Sequence, residues 1–389
     1  MTTTTVPPVT AIRDRFPSLT NTVHLAACSI AARSIDMDHA LATMLDDLSR
    51  PGFWTTHDQQ LHEARQGFAD LIGATAEQVA VLPNTCVAAY QAVAGLRWRL
   101  RPDVVCTTAE FPGIAHVWLA QQPRGASVRW CDTQAGQVTT RSYLRAITTR
   151  TALVSVPAVT YRDGIRPDIP RIADAAHAAG AQVIVDAYQA AGVMPIDVNA
   201  LRCDYLAAGT GKYLLGLPGL AFLYVRHPQS PLPTLTGWFG RIDPHAHDAS
   251  ILDFPPHARR LETGTPSVAA VYTAVAALSI INKLDQGMVR QHTQRLVVDA
   301  ATRLAGQGET VRLANAPGNQ GAHLALVDPQ AERMSAWLAH RGIIVAPRDG
   351  VVRLAMHAYT TDEDIDVLCE AVDAYRAGYP AHLPTGATR

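Results

Sequence analysis

Short apolar runs separated by longer amphipathic stretches recur between residues 79 and 225. VAVL at 79–82, VVC at 104–106, the stretches at 127–130 and 152–156, VIV at 183–185 and YLAA at 205–208 are bounded by Pro, Asn, Asp or Gly. Such runs predict buried strands of a parallel sheet. Helical spacing fills the intervals: residues 61–72 with Gly73 as a C-cap, a helix opening at Asn84 and Thr85, and another near 172–179. Strand alternating with helix predicts a doubly wound, mostly parallel α/β sheet.

The pattern breaks after Val225 into about forty loop-rich residues, a length that usually signals function or an interface. Helices are expected over Val268–Leu284 and Met288–Leu304, then a smaller α+β unit whose closing helix has an acidic first turn, TDEDID. The expected division is an N-terminal arm at 1–35 packing with the small domain, a large domain at 36–270 and a small domain at 271–389. PGFWTT at 51–56 reads as an aromatic loop, either overhanging a pocket or anchoring the packing.

Asp186 ends one predicted strand and Lys212 follows the next, inside a glycine-rich turn, GTGKYLLG. Ligands of open α/β sheets bind at the carboxyl ends of strands, so both residues are expected at one crevice. A lysine and a carboxylate there suit pyridoxal phosphate: its aldehyde condenses with the amine, and an acid keeps its ring nitrogen protonated. The strand-to-helix junction at Asn84 and Thr85 serves either as an anion site or as a plain N-cap. Phe111, just beyond a strand end, either stacks on a planar ring or fills the core.

Composition narrows the partners. Across 389 residues, 33 Lys+Arg balance 34 Asp+Glu, which disfavours nucleic acid and anionic membranes and leaves a small molecule as the expected ligand. MTTTTVPPVT has no signal-peptide pattern, and no apolar run reaches membrane-spanning length, so a cytoplasmic location is expected. Six scattered cysteines without a C-x-x-C pair read as reduced thiols. No metal site is expected, since His245, His247 and His257 lack zinc-ligand spacing. A nucleotide phosphate loop fails too: Leu206 stands where its first glycine is needed, and Tyr213 where Ser or Thr is needed.

PNT (83–85), EFP (110–112), VTYRDGIRPDI (159–169), VDAYQA (185–190), AAGTGKYLLGLPG (207–219), TGWFG (236–240), ETGTPS (262–267) and RLAMHAYTTDEDID (353–366) occur in an order that resembles one family. It is the class V group of fold-type I pyridoxal-phosphate enzymes, including cysteine desulfurases, kynureninases, C–S lyases and isopenicillin N epimerase. The resemblance implies a seven-stranded-type sheet, a smaller C-terminal domain and a homodimer with shared active sites. It makes Lys212 the cofactor-binding lysine and Cα base, and Asp186 the ring-nitrogen partner. Gln189 is implied near the phenolic oxygen, Asn84, Thr85 and Thr210 on the phosphate side, Thr160 among the cofactor residues, and Phe111 at the stacking position. Trp238 and Thr265 match positions reaching a neighbouring subunit's phosphate, and Arg353 matches the α-carboxylate arginine.

A desulfurase needs a nucleophilic cysteine on a loop ahead of that arginine, yet no cysteine lies between Cys203 and Arg353. With Phe111 replacing the usual desulfurase histidine, the chain looks nearer the kynureninase, epimerase and C–S lyase branches. It also resembles class V enzymes that process cysteine conjugates in lincosamide assembly. The expected reaction is C–S β-elimination or decarboxylation-linked oxidative deamination of a cysteine S-conjugate; epimerisation, transamination and a catalytically silent binding protein are the alternatives. His24 and Tyr161 are expected to bind substrate, and Cys28, Phe53 and Trp54 are further candidates for steering the reaction.

Overall fold

The computed structural model describes residues 9–131, 137–230 and 232–378; residues 1–8 of the expected arm and 379–389 of the expected small domain lie outside the described residues. The first elements in chain order are β1 (Val23–His24), α1 (Ile35–Leu48), α2 (Phe53–Ile72), β2 (Val79–Leu82), α3 (Thr85–Val93), β3 (Asp103–Thr107), α4 (Pro112–Leu119) and β4 (Ser127–Cys131). Then come α5 (Thr140–Ala146), β5 (Thr151–Pro157), α6 (Ile169–Ala178), β6 (Gln182–Asp186), α7 (Val198–Leu201), β7 (Tyr205–Gly209) and β8 (Ala221–Val225). The remainder holds α8 (Val268–Ile281), α9 (Gln286–Gly306), β9 (Val311–Arg312), β10 (His323–Val327), α10 (Ala331–Ala339), β11 (Ile343–Ile344), β12 (Ala346–Arg348), β13 (Val351–Ala355) and α11 (Asp362–Gly378).

Seven strands form the large sheet in the order β2-β8-β7-β6-β5-β3-β4. Strands β3 to β7 run parallel, while β8 is antiparallel to both β7 and β2. All strands except β8 therefore end at the same edge. Alternation divides the residues between two cores: Val105, Val154, Val183 and Phe222 face α2, α6 and α8, whereas Val104, Leu153, Ile184 and Leu223 face α3 and α4. Continuous apolar runs follow because both faces are covered.

The aromatic stretch at 51–56 is not a loop. Gly52, at a φ of 84°, starts α2 with no side-chain cap, and Phe53 and Trp54 occupy the first turn. No capping Ser, Thr, Asp or Asn marks this start in the sequence; tertiary contacts hold the turn, with Phe53 stacked on His57 at 5.8 Å and Trp54 edge-on to Trp238 at 5.9 Å. Between Asp186 and Tyr205 the helix is confined to the four residues of α7. Gly192, at a φ of 95°, and Pro195 break the stretch before it.

A four-stranded antiparallel sheet, β12-β13-β10-β9, forms the smaller C-terminal domain. Leu324, Leu326, Val352 and Leu354 pack with α9 and α11, while Ala346 and Ala355 on the other face join the large-sheet core. The N-terminal segment is woven in: β1 pairs parallel with β11, and Arg13 forks onto Asp364 at 2.7 and 3.0 Å. Helix α8, counted with the small domain in the expected division, packs on α1 and α2 and contributes Val271, Ala274 and Leu278 to the large-sheet core. No single described helix is long and apolar enough to cross a membrane.

Candidate active site

The site assembles where the parallel strands end. β6 and β7 pair with Asp186 opposite Ala207, so the carboxylate stands beside the strand that leads into the Lys212 turn. Lys212 is buried, with its amine 4.2 Å from the centre of the Tyr188 ring and 5.3 Å from that of Phe111. Among the described residues no carboxylate lies within ion-pair distance of it. Burial pulls its pKa below the usual lysine range, opposed chiefly by Asp186. Burial thus favours the neutral amine.

Two buried carboxyls stand near one another. Glu110 receives the Ser155 hydroxyl at 2.7 Å, and burial followed by repulsion from Asp186 raises it to about 8. Asp186 is also raised by burial, but it accepts the Tyr188 N–H at 2.9 Å and has Lys212 lowering it. Burial thus raises both carboxyls, and Asp186 alone of the two has Lys212 opposing the rise. Tyr188 lies against Gly209, where an added Cβ would stand 2.3 Å from a ring carbon, so only glycine admits the ring beside Lys212.

A narrow cleft opens over these groups, walled by Phe111, Pro157, Val159, Tyr161 and Gln189 together with Asp186, Tyr188 and Lys212. Phe111 is 39% exposed and caps α4, leaving a ring face open; Tyr161 meets it edge-on at 5.6 Å. Gln189 donates through Nε2 to the Cys28 carbonyl at 3.0 Å, while its buried Oε1 has no partner. Arg353 is 2% exposed and donates to the Ala346 carbonyl at 3.3 Å and the Tyr161 carbonyl at 3.0 Å. No acidic partner meets it among the described residues. A buried guanidinium without a counter-ion is costly, which favours an anionic ligand.

Asn84 caps α3 by accepting the Val87 N–H at 3.0 Å, and β2 ends level with β7 because Leu82 and Gly209 both pair with Ala221. The helix N-terminus with Thr85 therefore faces the same edge as Lys212. The Thr210 hydroxyl donates to the Leu217 carbonyl and shapes the lysine turn. Thr160 is bound to Asp163 and accepts the Ile165 N–H at 2.8 Å, closing its own loop.

Several expected residues lie outside the cleft lining. His24 bonds the Tyr359 hydroxyl at 3.1 Å in a buried aromatic group, and burial lowers it to about 4. Cys28 is buried behind Gln189, with its thiol pKa raised by burial. Phe53 and Trp54 join Trp238 and Phe239 instead. Trp238 stacks on His247 at 6.0 Å, and Thr265 is exposed; neither lines the cleft within one chain. Tyr188 and Glu110 received no role from sequence reasoning, although both fall inside matching motifs.

Residues 52–368 match the family described as Aminotransferase class-V. The chain belongs to this family. It is 37% identical over 357 residues to an uncharacterized aminotransferase, YcbU, of Bacillus subtilis (strain 168), covering 91% of this chain and 94% of that protein. A kynureninase from Deinococcus radiodurans is 32% identical over 288 residues, 71% of this chain and 68% of that one. Among solved structures, a cysteine desulfurase from Thermococcus onnurineus NA1 matches with a TM-score of 0.85 at 20% identity, over 97% of this chain and 100% of that chain. This class-V chain is accordingly a fold-type I, pyridoxal-phosphate-dependent enzyme acting on amino acids. Its residues fit that cofactor: a buried amine with no ion pair among the described residues, a buried carboxyl beside it, an exposed aromatic ring and the unpartnered Oε1 of Gln189 are all present.

Proposed function

We propose that this class-V enzyme cleaves the C–S bond of a cysteine S-conjugate by β-elimination. The observation that carries the reading is Lys212: a buried amine with a lowered pKa, facing Asp186 and sharing its surroundings with the carboxylate-seeking Arg353. In this reading Arg353 holds the substrate α-carboxylate as a planar fork. Phe111 covers one face of the cofactor ring, Asp186 holds the proton on its ring nitrogen, and Asn84 and Thr85 present the α3 N-terminus to its phosphate.

Bound pyridoxal phosphate supplies an electron sink for the pair released at Cα. Lys212 takes the Cα proton, which its amine does well because burial brings its pKa toward working pH. The Cβ–S bond then breaks and the thiolate leaves with the electron pair. With one water consumed, the products are a thiol, pyruvate and ammonium. A persulfide route is disfavoured, since Cys369 is buried in the small-domain core and no cysteine separates Cys203 from Arg353.

Transamination is the second reading, favoured by the 37% identity to a protein named as an uncharacterized aminotransferase. Trp238 and Thr265 are assigned to a homodimer, each serving the neighbouring chain's phosphate; the exposed apolar side chains Leu232, Ile242, Ile251 and Leu252 of the same region support that assembly. A cytoplasmic setting accords with six free cysteines among the described residues.

Incubating the purified holoenzyme with L-amino acids and cysteine S-conjugates, and identifying products by mass spectrometry, separates the outcomes. Thiol with pyruvate and ammonium supports elimination. Carbon dioxide with an aldehyde replaces it with the decarboxylating route, a 2-oxo acid with the side chain intact with transamination, and an inverted Cα with epimerisation.

A further inference from the structure

Arg353 does not stand alone on its sheet face. In the antiparallel pair of β12 and β13, Ala346 lies opposite Arg353 and Arg348 opposite Val351. Directly opposed residues share a face, as do residues two apart on one strand. Arg348 and Arg353 therefore project from the same face, diagonally across the strand pair, where long side chains come within reach of a shared ligand. That face is turned to the cleft: Arg353 donates to the carbonyl of Tyr161, a cleft-wall residue.

The hairpin after Arg348 is also tied to the cleft mouth. Asp349 holds a φ of 47°, its carbonyl accepts Arg162 at 3.2 Å, and its carboxylate meets the Tyr161 hydroxyl at 3.5 Å. Arg348 is exposed and has no carboxylate at ion-pair distance among the described residues, in contrast to Arg13, Arg65 and Arg376. Its charge is nevertheless felt at Lys212, Cys28 and the Tyr161 hydroxyl, as expected for a cation over the cleft. One substrate carboxylate satisfies Arg353; a second cation at the mouth has no use for an apolar side chain.

We infer that the substrate is an amino acid whose side chain ends in a second acidic group, with Arg353 binding the α-carboxylate and Arg348 the distal one. The inference rests on the reading of Arg353 as the α-carboxylate residue and names the substrate class for the same site. Tyr161, which lines the cleft and whose carbonyl accepts from Arg353, forms the wall along which the side chain runs. Specificity of this kind comes from a mouth that a neutral ligand leaves unpaired.

The test uses two ligands of equal shape, S-carboxymethyl-L-cysteine and S-carbamoylmethyl-L-cysteine, which differ only in distal charge. Each is titrated into holoenzyme at low salt, and the apparent Kd is read from the visible absorption of the cofactor. The acid is expected to bind about fivefold to tenfold more tightly, the modest value reflecting an exposed arginine. In R348Q the two Kd values converge to within about twofold, R348K restores part of the gap, and R145Q, at an exposed arginine on α5, keeps it. Equal affinities in the unmodified enzyme, or a gap that survives in R348Q, overturn the inference. Products do not enter the ratio, so a failure of C–S cleavage leaves it standing. If neither ligand perturbs the absorption, the amino-acid site and this inference fall together.

Discussion

At the scale of single residues, the most telling group is a carboxyl that the chemistry does not consume. Glu110 sits behind Asp186 with Ser155 on one oxygen and nothing on the other, and burial holds its pKa near 8 against an ordinary value of 4.5. A group with a raised folded-state pKa stabilises fully below its unfolded value, and that contribution is lost as pH rises through the folded value. Wild-type stability should therefore fall between about pH 4.5 and 8 relative to Glu110→Gln, whose neutral amide carries no such dependence. Melting temperatures of both holoenzymes at pH 5 and pH 8 check this: the difference moves in favour of Glu110→Gln at the higher pH. An unchanged difference would mean that Glu110 is ionised at both pH values. The sequence placed Glu110 in a motif but not its protonation state, because that depends on how closely Asp186 and the buried Ser155 surround it.

At the scale of elements, α2 shows how packing creates a helix that local signals do not mark. Its C-terminal half was legible from apolar spacing and Gly73, whereas its first two turns follow from Trp54 meeting Trp238 and Phe53 meeting His57. Farther along, Phe68 stacks on Phe222 of β8 at 4.4 Å with no exposure, tying the helix to the large sheet. Phe68→Ala should cost about 3–5 kcal/mol of stability, since a buried aromatic leaves a cavity that rigid strands cannot close. Chemical denaturation measures the loss, and the cofactor absorption band of the folded variant should stay in place. A loss below about 1 kcal/mol would show that the core closes around the gap.

At the scale of the whole molecule, the loop-rich region after Val225 carries the exposed apolar side chains on which the proposed dimer rests. Leu252 is 65% exposed, Ile242 57% and Ile251 51%, beside the Trp238 cluster. Leu252→Asp should shift the proposed dimer toward monomer and weaken cofactor retention in parallel, since the proposal gives Trp238 and Thr265 to the partner's phosphate. Light scattering coupled to gel filtration, with absorbance read at the cofactor band, checks both at once. A wild-type monomer that keeps its cofactor would remove the shared-site assignment.

Sequence alone determined the strand-helix alternation, the place of Asp186 and Lys212 at neighbouring strand ends, and the cap at Asn84, because these depend on local periodicity and turn chemistry. It also determined the family, through motifs whose order is independent of the fold's details. Only the tertiary structure decided which of the candidates share a cleft. His24, Cys28, Phe53 and Trp54 are close to the right elements but belong to other packing groups, and Tyr188 enters because Gly209 leaves room for its ring. Arg348 and Arg353 are five positions apart in a hairpin, and nothing in their spacing shows a common face until the register of β12 against β13 is known. Periodicity assigns a side chain to a face of its own element; which faces meet, and which charges then stand unpaired, is decided when the two sheets pack.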